Sequence, residues 1–198
     1  MTNPKTLLQL AGADLTPARL NDASLVLIDF QNEYLAGPVA LSGAEPAIAE
    51  AGRLLTAARS AGAPVFHVAH RGRSGSLFDP EAERGQIVTA LRPQAGEVVV
   101  EKGLPNAFAG TELQEHLAEA GRKRLIIAGF MTHMCVSSTA RAALDLGYST
   151  TVVASACATR DLPNGRGGVV SATMIHDVAL VELSDRFAVI AQGAGEVL

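Results

Sequence analysis

Six short apolar runs, separated for the most part by stretches with helical spacing, limit what this chain can fold into. Residues 25–30 (LVLIDF), 64–70 (PVFHVAH), 97–101 (EVVVE), 124–129 (RLIIAG), 150–155 (TTVVAS) and 187–190 (FAVI) are mostly near-continuous in Val, Ile, Leu and Phe. Strands buried on both faces read this way, and parallel strands covered by helices are the usual case. Between them, 45–61 is rich in Ala and Leu and stops at Gly62 with Pro64 beyond it. Segment 111–120 opens on Thr111 as a cap and ends at Gly121, 135–146 precedes Gly147, and 169–183 is the last long helix. This order predicts an α/β fold, a three-layer αβα sandwich on a six-stranded, mainly parallel sheet with right-handed crossovers. Residues 23–198 make one domain, and residues 1–22 are an N-terminal extension lying on its surface. A chain of 198 residues builds one core of adequate size without staples.

Composition removes several classes of function. Asp and Glu (20) outnumber Lys and Arg (16), and no basic block occurs, so no nucleic-acid partner is expected. An apolar content of 48% argues against disorder. Two cysteines, Cys135 and Cys157, are too few for a disulfide framework or a four-thiolate zinc site, and read as reduced intracellular thiols. No stretch approaches the roughly 18–20 apolar residues of a membrane span. The opening MTNPKTLLQLAGADLTPARL lacks the basic start and apolar core of an export signal. A cytoplasmic chain with no membrane partner is the expectation.

Ligands bind open parallel sheets outside the carboxyl ends of the strands, so the residues just past each strand carry the information. Asp29 ends the first strand, where an acid among apolar residues needs a partner or solvent. Lys102 follows the third strand, and taken alone it reads as a solvated lysine. Cys135 follows the fourth, where a helix begins. Alone it reads as a small buried hydrophobe, but a helix start lowers a thiol's pKa and offers free N–H groups. Together an acid, a cation and a thiol on one sheet edge can activate a nucleophile. Neither a Gly-rich phosphate motif nor GxSxG occurs. The connection 71–96, with Gly72, Gly75, Pro80 and Pro93, is long enough to be functional.

The runs IDFQNEY, EKGLPNAFAGTEL, IAGFMTHMCVSSTARAALDLGY and ASACATRD, in this order over roughly residues 23–190, resemble the isochorismatase-like cysteine hydrolase family, whose sheet is Rossmann-like. The resemblance implies a catalytic triad of Asp29, Lys102 and Cys135. It also implies a cis peptide at Phe130–Met131 and an oxyanion hole from the N–H groups of Met131 and Cys135. Gln31 and Asn32 are placed to orient substrate or bond the backbone. Phe108 resembles a pocket-wall aromatic, while Asn106 stands where the family often has Ser. His70, Arg71 and Arg73 are candidates to hold an anionic group on the substrate. The nicotinamidase-like branch has an Asp-x-His…His metal motif; here FHVAHRGRSGSLFDP puts His67 and His70 three apart without that acid, so no metal and no cofactor is expected. His67 reads as a satisfied strand histidine, His133 as a water-facing helix-start residue, Thr132 as a helix cap, and Cys157 as a structural thiol.

The resulting expectation is a cysteine hydrolase that cleaves a C–N bond, amide or ureido, of a small molecule through an acyl-thioester. A vinyl-ether hydrolase of the isochorismatase type is the first alternative; members with that activity often have glycine in place of the cysteine. A non-catalytic binding or scaffold protein of the same fold is the second. A homodimer or higher homo-oligomer is expected, with helices such as 135–146 packing between subunits.

Overall fold

A computed structural model describes residues 3–198. In chain order the elements are α1 (Leu7–Leu10), β1 (Ala23–Ile28), α2 (Ala44–Ala61), β2 (Val65–His70), β3 (Val98–Lys102), α3 (Leu113–Glu119), β4 (Arg124–Phe130), α4 (Ser137–Asp145), β5 (Ser149–Ala158), β6 (Leu162–Pro163), β7 (Val169–Val170), α5 (Ala172–Arg186) and β8 (Val189–Ala191). Six strands form one parallel sheet in the order β3-β2-β1-β4-β5-β8, and β6 pairs with β7 in a small antiparallel hairpin. The chain builds outward from β1 to β3, then returns to place β4 on the other side of β1. The crevice between β1 and β4 is therefore a topological switch point, where open α/β sheets bind ligands.

The continuous apolar runs follow from burial on both faces. In β1, Leu25 and Leu27 face one core layer with Ala51, Leu54, Leu55 and Ala58 of α2. Val26 and Ile28 face the other, with Leu113 and Leu117 of α3, Ala140 and Ala143 of α4, and Leu183 of α5. Helix α2 ends as its sequence predicts: Gly62 adopts φ +62° and its N–H reaches the carbonyls of Ala58 and Arg59.

Three expectations need correction. The helix expected over 169–183 begins later, because Val169 and Val170 pair with β6 and the acceptors that start α5 sit beyond them. Ser171 Oγ accepts from Met174 N at 3.3 Å and Asp161 Oδ1 from Ala172 N at 2.7 Å. The helix expected from residue 135 is preceded by a wide π turn, Thr132–Val136, and α4 proper starts at Ser137. The N-terminal segment does not stay on the surface throughout, since Ala18 and Leu20 are buried in the core.

His67 is the satisfied strand residue its position suggests. Its Nε2 lies 2.9 Å from Glu97 Oε2, while Arg59 clamps both oxygens of that carboxylate at 2.7 and 2.9 Å and the Gln94 N–H adds a bond at 2.8 Å. Burial pushes the His67 pKa down, so the neutral ring donates to the carboxylate. The Arg59 guanidinium, with help from Gln94 and His67, holds the Glu97 carboxyl at about 2. A depressed carboxyl stabilises the fold above its ordinary pKa of 4.5, and that contribution is lost as pH falls from 4.5 toward about 2. Glu97→Gln should therefore destabilise the protein more at about pH 7 than at about pH 3; an equal penalty in denaturant melts at both would contradict this account.

Gly129 faces Ile28 across the seam between β1 and β4. It has φ +148°, and a Cβ there would lie 2.2 Å from the Ile28 carbonyl oxygen. Backbone on backbone cannot relax as a flexible side chain does. Gly129→Ala should cost about 2–4 kcal/mol in chemical denaturation, and a loss within experimental error would show that the strands can separate freely here.

Candidate active site

Four chain segments meet at the carboxyl edge of the sheet. Asp29 is the first residue after β1. It has φ +53°, uncommon for a non-glycine residue, and its N–H donates to Val68 O at 2.8 Å, which ties the end of β1 to β2. Lys102 is the last residue of β3, and its stem crosses the end of β2 to reach the crevice. Both side chains are completely buried. An ammonium has three N–H donors. Here they face Asp29 Oδ2 at 2.7 Å, Cys135 Sγ at 3.3 Å and His70 Nδ1 at 3.4 Å.

Cys135 rides on the π turn after β4. The Met131 carbonyl accepts from Met134 N at 3.0 Å and from Val136 N at 3.3 Å, and the Phe130–Met131 peptide is cis. Two side-chain contacts clamp this turn from outside: Thr132 Oγ1 lies 2.8 Å from His176 Nδ1 of α5, and His133 Nδ1 lies 2.6 Å from Thr159 Oγ1 just past β5. Thr132 is thus a tie to α5 and not a cap, and His133 is half-buried and bonded instead of facing water. Among the described residues, the Met131 N–H donates to no backbone acceptor.

The electrostatics depart from the sequence reading of the thiol. Burial, reinforced by the Asp29 charge, pushes the Cys135 pKa up to about 12. The sulfur's residue is only 5% exposed, and a carboxylate stands beside it, so the pull of the turn's N–H groups and Lys102 does not prevail. Burial also raises the Asp29 pKa against the pull of Lys102. The cluster therefore has room for one negative charge opposite its one ammonium. Burial, with the Lys102 charge adding to it, lowers the His70 pKa; the ring is neutral and packs edge-on to Phe78, with centroids 5.1 Å apart.

The other expected residues are placed elsewhere. Gln31 is fully used by backbone: Nε2 donates to His70 O at 2.9 Å and Gly85 O at 2.7 Å, and Oε1 accepts from His70 N at 2.9 Å. It holds the ends of β1 and β2 together and has no group left for substrate. Arg71 is exposed and paired with Glu101, and Arg73 lies exposed in the following loop. His70, being neutral, brings no cation to an anionic substrate. Phe108 stacks on Tyr148 at 6.2 Å in the layer beneath α3 and α4, and Asn106 Oδ1 accepts from Phe108 N at 2.9 Å in the turn before it. Asn32 Nδ2 donates to Glu83 O at 2.8 Å. Cys157 is buried beside Gly129.

Tyr34, His176 and Arg160 were not singled out from sequence. Tyr34 packs against Phe130 and Phe78 at 5.5 and 5.1 Å, and its hydroxyl pKa is raised by burial and then by the charges of Asp29 and Cys135. Arg160 follows β5 in ASACATRD, and the strand-end rule that found Asp29 and Lys102 also points to it. Among the described residues no cluster of three or more His, Cys, Asp or Glu is arranged to hold a metal ion, and no helix is long and apolar enough to cross a membrane.

Comparison with known proteins agrees with this geometry. The crystal structure of an isochorismatase from Pseudomonas putida KT2440 superposes with a TM-score of 0.95 at 46% identity, covering 99% of this chain and 100% of that one. The secreted isochorismatase effector Isc1 of Verticillium dahliae is 37% identical over 90% of this chain and 92% of its own length. The ureidoacrylate amidohydrolase RutB of Pseudomonas syringae is 30% identical over 79% of this chain and 83% of its own length. The pattern of the Isochorismatase domain spans residues 23–194, and the chain belongs to that family of hydrolases.

Proposed function

We propose that this protein is a cysteine hydrolase that cleaves the C–N bond of a small amide or ureide through an acyl-thioester on Cys135. The observation that carries the reading is the buried contact of Cys135 Sγ with Lys102 Nζ at 3.3 Å, itself 2.7 Å from Asp29 Oδ2. Asp29 takes the thiol proton as sulfur bonds to the carbonyl carbon. The N–H groups of Met131 and Cys135 receive the oxyanion. Collapse breaks the C–N bond, and the departing nitrogen takes the proton back from Asp29. A water then gives a proton to Asp29 and attacks the thioester. The acid leaves, and sulfur recovers its proton. Lys102 stays charged throughout and stabilises whichever of carboxylate or thiolate is ionised. The ureido activity named for the Pseudomonas syringae relative supports the substrate class.

This scheme generates two outcomes that a merely structural thiol would not give. Cys135→Ala should abolish ammonia or amine release, by at least about 10³-fold in kcat/KM, with the fold intact by circular dichroism; near-full activity would end the proposal. Asp29→Asn should also stop turnover, yet it should speed alkylation of Cys135. Removing the carboxylate charge leaves Lys102 paired with the thiolate alone, which lowers the thiol pKa. Iodoacetamide labelling of the Cys135 peptide at about pH 7 should rise about tenfold or more; slower or unchanged labelling would remove Asp29 from contact with the sulfur.

A vinyl-ether reading is favoured by the isochorismatase names of the Pseudomonas putida and Verticillium dahliae relatives. Pyruvate release from isochorismate, without ammonia release from amides, would establish it in place of the C–N reading. The unpaired, buried thiols support a reducing compartment. Self-association is supported by the outer face of α5, where Met174, Val178 and Val181 are all exposed at helical spacing. Light scattering at micromolar concentration should give at least a dimer, and a monomer would overturn that part.

A further inference from the structure

We propose that Arg160 is the specificity residue of this site and binds a carboxylate carried by the substrate, so that the enzyme acts on small amides bearing one negative charge. The proposal rests on the C–N hydrolase reading and narrows it to an anionic substrate class.

Arg160 lies two residues past the end of β5, on the strand beside the one that delivers Cys135. Its neighbour Thr159 is buried, bridged to Ser42, and bonded at 2.6 Å to His133. His133 is two residues from Cys135, so the backbone that carries Arg160 is fastened to the turn that carries the nucleophile. The charge of Arg160 is felt at both His133 and Tyr34, and Tyr34 also senses Asp29 and Cys135.

The guanidinium is unusual in having nothing to hold. Four other arginines are likewise half-buried. Arg59 grips Glu97, Arg122 donates to the carbonyls of Leu20 and Ala23, Arg124 pairs with Asp22, and Arg141 reaches Ser137 and Glu182. Arg160 Nε is buried with no acceptor, and among the described residues no group hydrogen-bonds its side chain. A buried donor left unmade is costly, and a charged one more so. Asp161, the next residue in the chain, already accepts from Ala172 N, and Glu33, whose charge Tyr34 also feels, already accepts from Phe78 N and faces Arg84.

The charge balance points the same way. Asp29 and Lys102 cancel, so Arg160, at the end of β5 and with a charge that reaches Tyr34 as those of Asp29 and Cys135 do, is left as an uncompensated cation. A guanidinium fork matches a carboxylate in two parallel bonds, and one charge answers one charge. The residues chosen from sequence for this task do not offer the same thing, since His70 is neutral and Arg71 already has Glu101.

The test uses the full chain with Cys135→Ala, which binds without turnover. Malonamate, succinamate and glutaramate are each titrated by calorimetry against the neutral diamide of the same length. At least one acid should bind about tenfold or more tightly than its diamide. Arg160→Gln in the same background should erase that preference, and Arg160→Lys, which keeps the charge but not the fork, should retain part of it. Equal binding of acids and diamides, an unchanged preference in Arg160→Gln, or no binding of any acid at millimolar concentration would overturn the proposal. Ammonia release by the wild-type protein from the same compounds separates this result from the hydrolase reading. Equal hydrolysis of acids and diamides would sink the role of Arg160 and leave C–N hydrolysis standing. Selective binding with no ammonia from any compound would do the reverse.

Discussion

An ammonium removed from water sets the terms for everything around it. Lys102 is completely buried, and burying a charge without partners costs several kcal/mol even after relaxation. Its N–H groups are matched by a carboxylate oxygen, a sulfur and a neutral ring nitrogen. Only one full negative charge is present to balance it. Asp29 and Cys135 therefore compete to be the ionised partner: burial, with the Asp29 charge added to it, raises the Cys135 pKa, while burial raises that of Asp29 against the pull of Lys102 and of its hydrogen bond with Cys135. Moving a proton from sulfur to carboxylate then shifts the negative charge by one position around Lys102 without creating a new pair of charges. In a low-dielectric pocket that is the difference between an accessible step and a prohibitive one. In the proposed mechanism, nucleophile activation is charge relocation around a fixed cation, and a resting thiolate is not required.

Such an arrangement survives only if the backbone holds it still. The three side chains come from strands that are not all adjacent, with β2 and β1 lying between β3 and β4. The end of β2 is fixed because Gln31 bonds both the N–H and the carbonyl of His70, which keeps the imidazole beside Lys102. Gly129 allows β1 and β4 to close until no Cβ fits between them. The turn bearing Cys135 is tied on both sides, by Thr132 to α5 and by His133 to the end of β5. Each tie uses a polar side chain that in isolation looks like a candidate for chemistry. Their work is to place other groups.

That pattern explains what was legible in the sequence. The sheet was readable because strands buried on both faces must be apolar throughout, and Asp29, Lys102 and Cys135 stood out because strand ends are where such a sheet binds ligands. Helix starts were less readable. Val169 and Val170 favour strand but run straight into a helical stretch, and the long-range bond that Ala172 N–H donates to Asp161 fixes where that helix begins. The π turn before α4 was invisible, since its carbonyl pairing has no composition of its own. The fate of Gln31 and Arg71 was set by residues 30 to 54 positions away. The thiol's pKa was misread for a similar reason: a helix start is a local feature, whereas burial beside Asp29 is a tertiary one. Arg160 was open to the strand-end rule but is distinguished only by its lack of partners, which no sequence displays.

The long connection 71–96 shows how a fixed centre can coexist with a variable mouth. Its carbonyls at Gly85 and Glu83 hold Gln31 and Asn32, and one side chain reaches the centre itself. Phe78, at φ +57°, sets its ring against both Tyr34 and His70, each at 5.1 Å, and its N–H is held by the buried Glu33 at 3.1 Å. Asp79 folds the segment on itself by accepting from Gly75 N and Glu81 N. One apolar ring thus shields the Lys102–His70 side from water and preserves the low dielectric that the charge relocation needs. The stretch from Arg73 to Ser76 is exposed and makes no contact with that centre. Substitutions there can reshape the entrance without touching the ammonium's partners, whereas a change at Phe78 or Glu33 would let water compete for them. Variation in what enters the site is thereby separated, residue by residue, from the electrostatics that act on it.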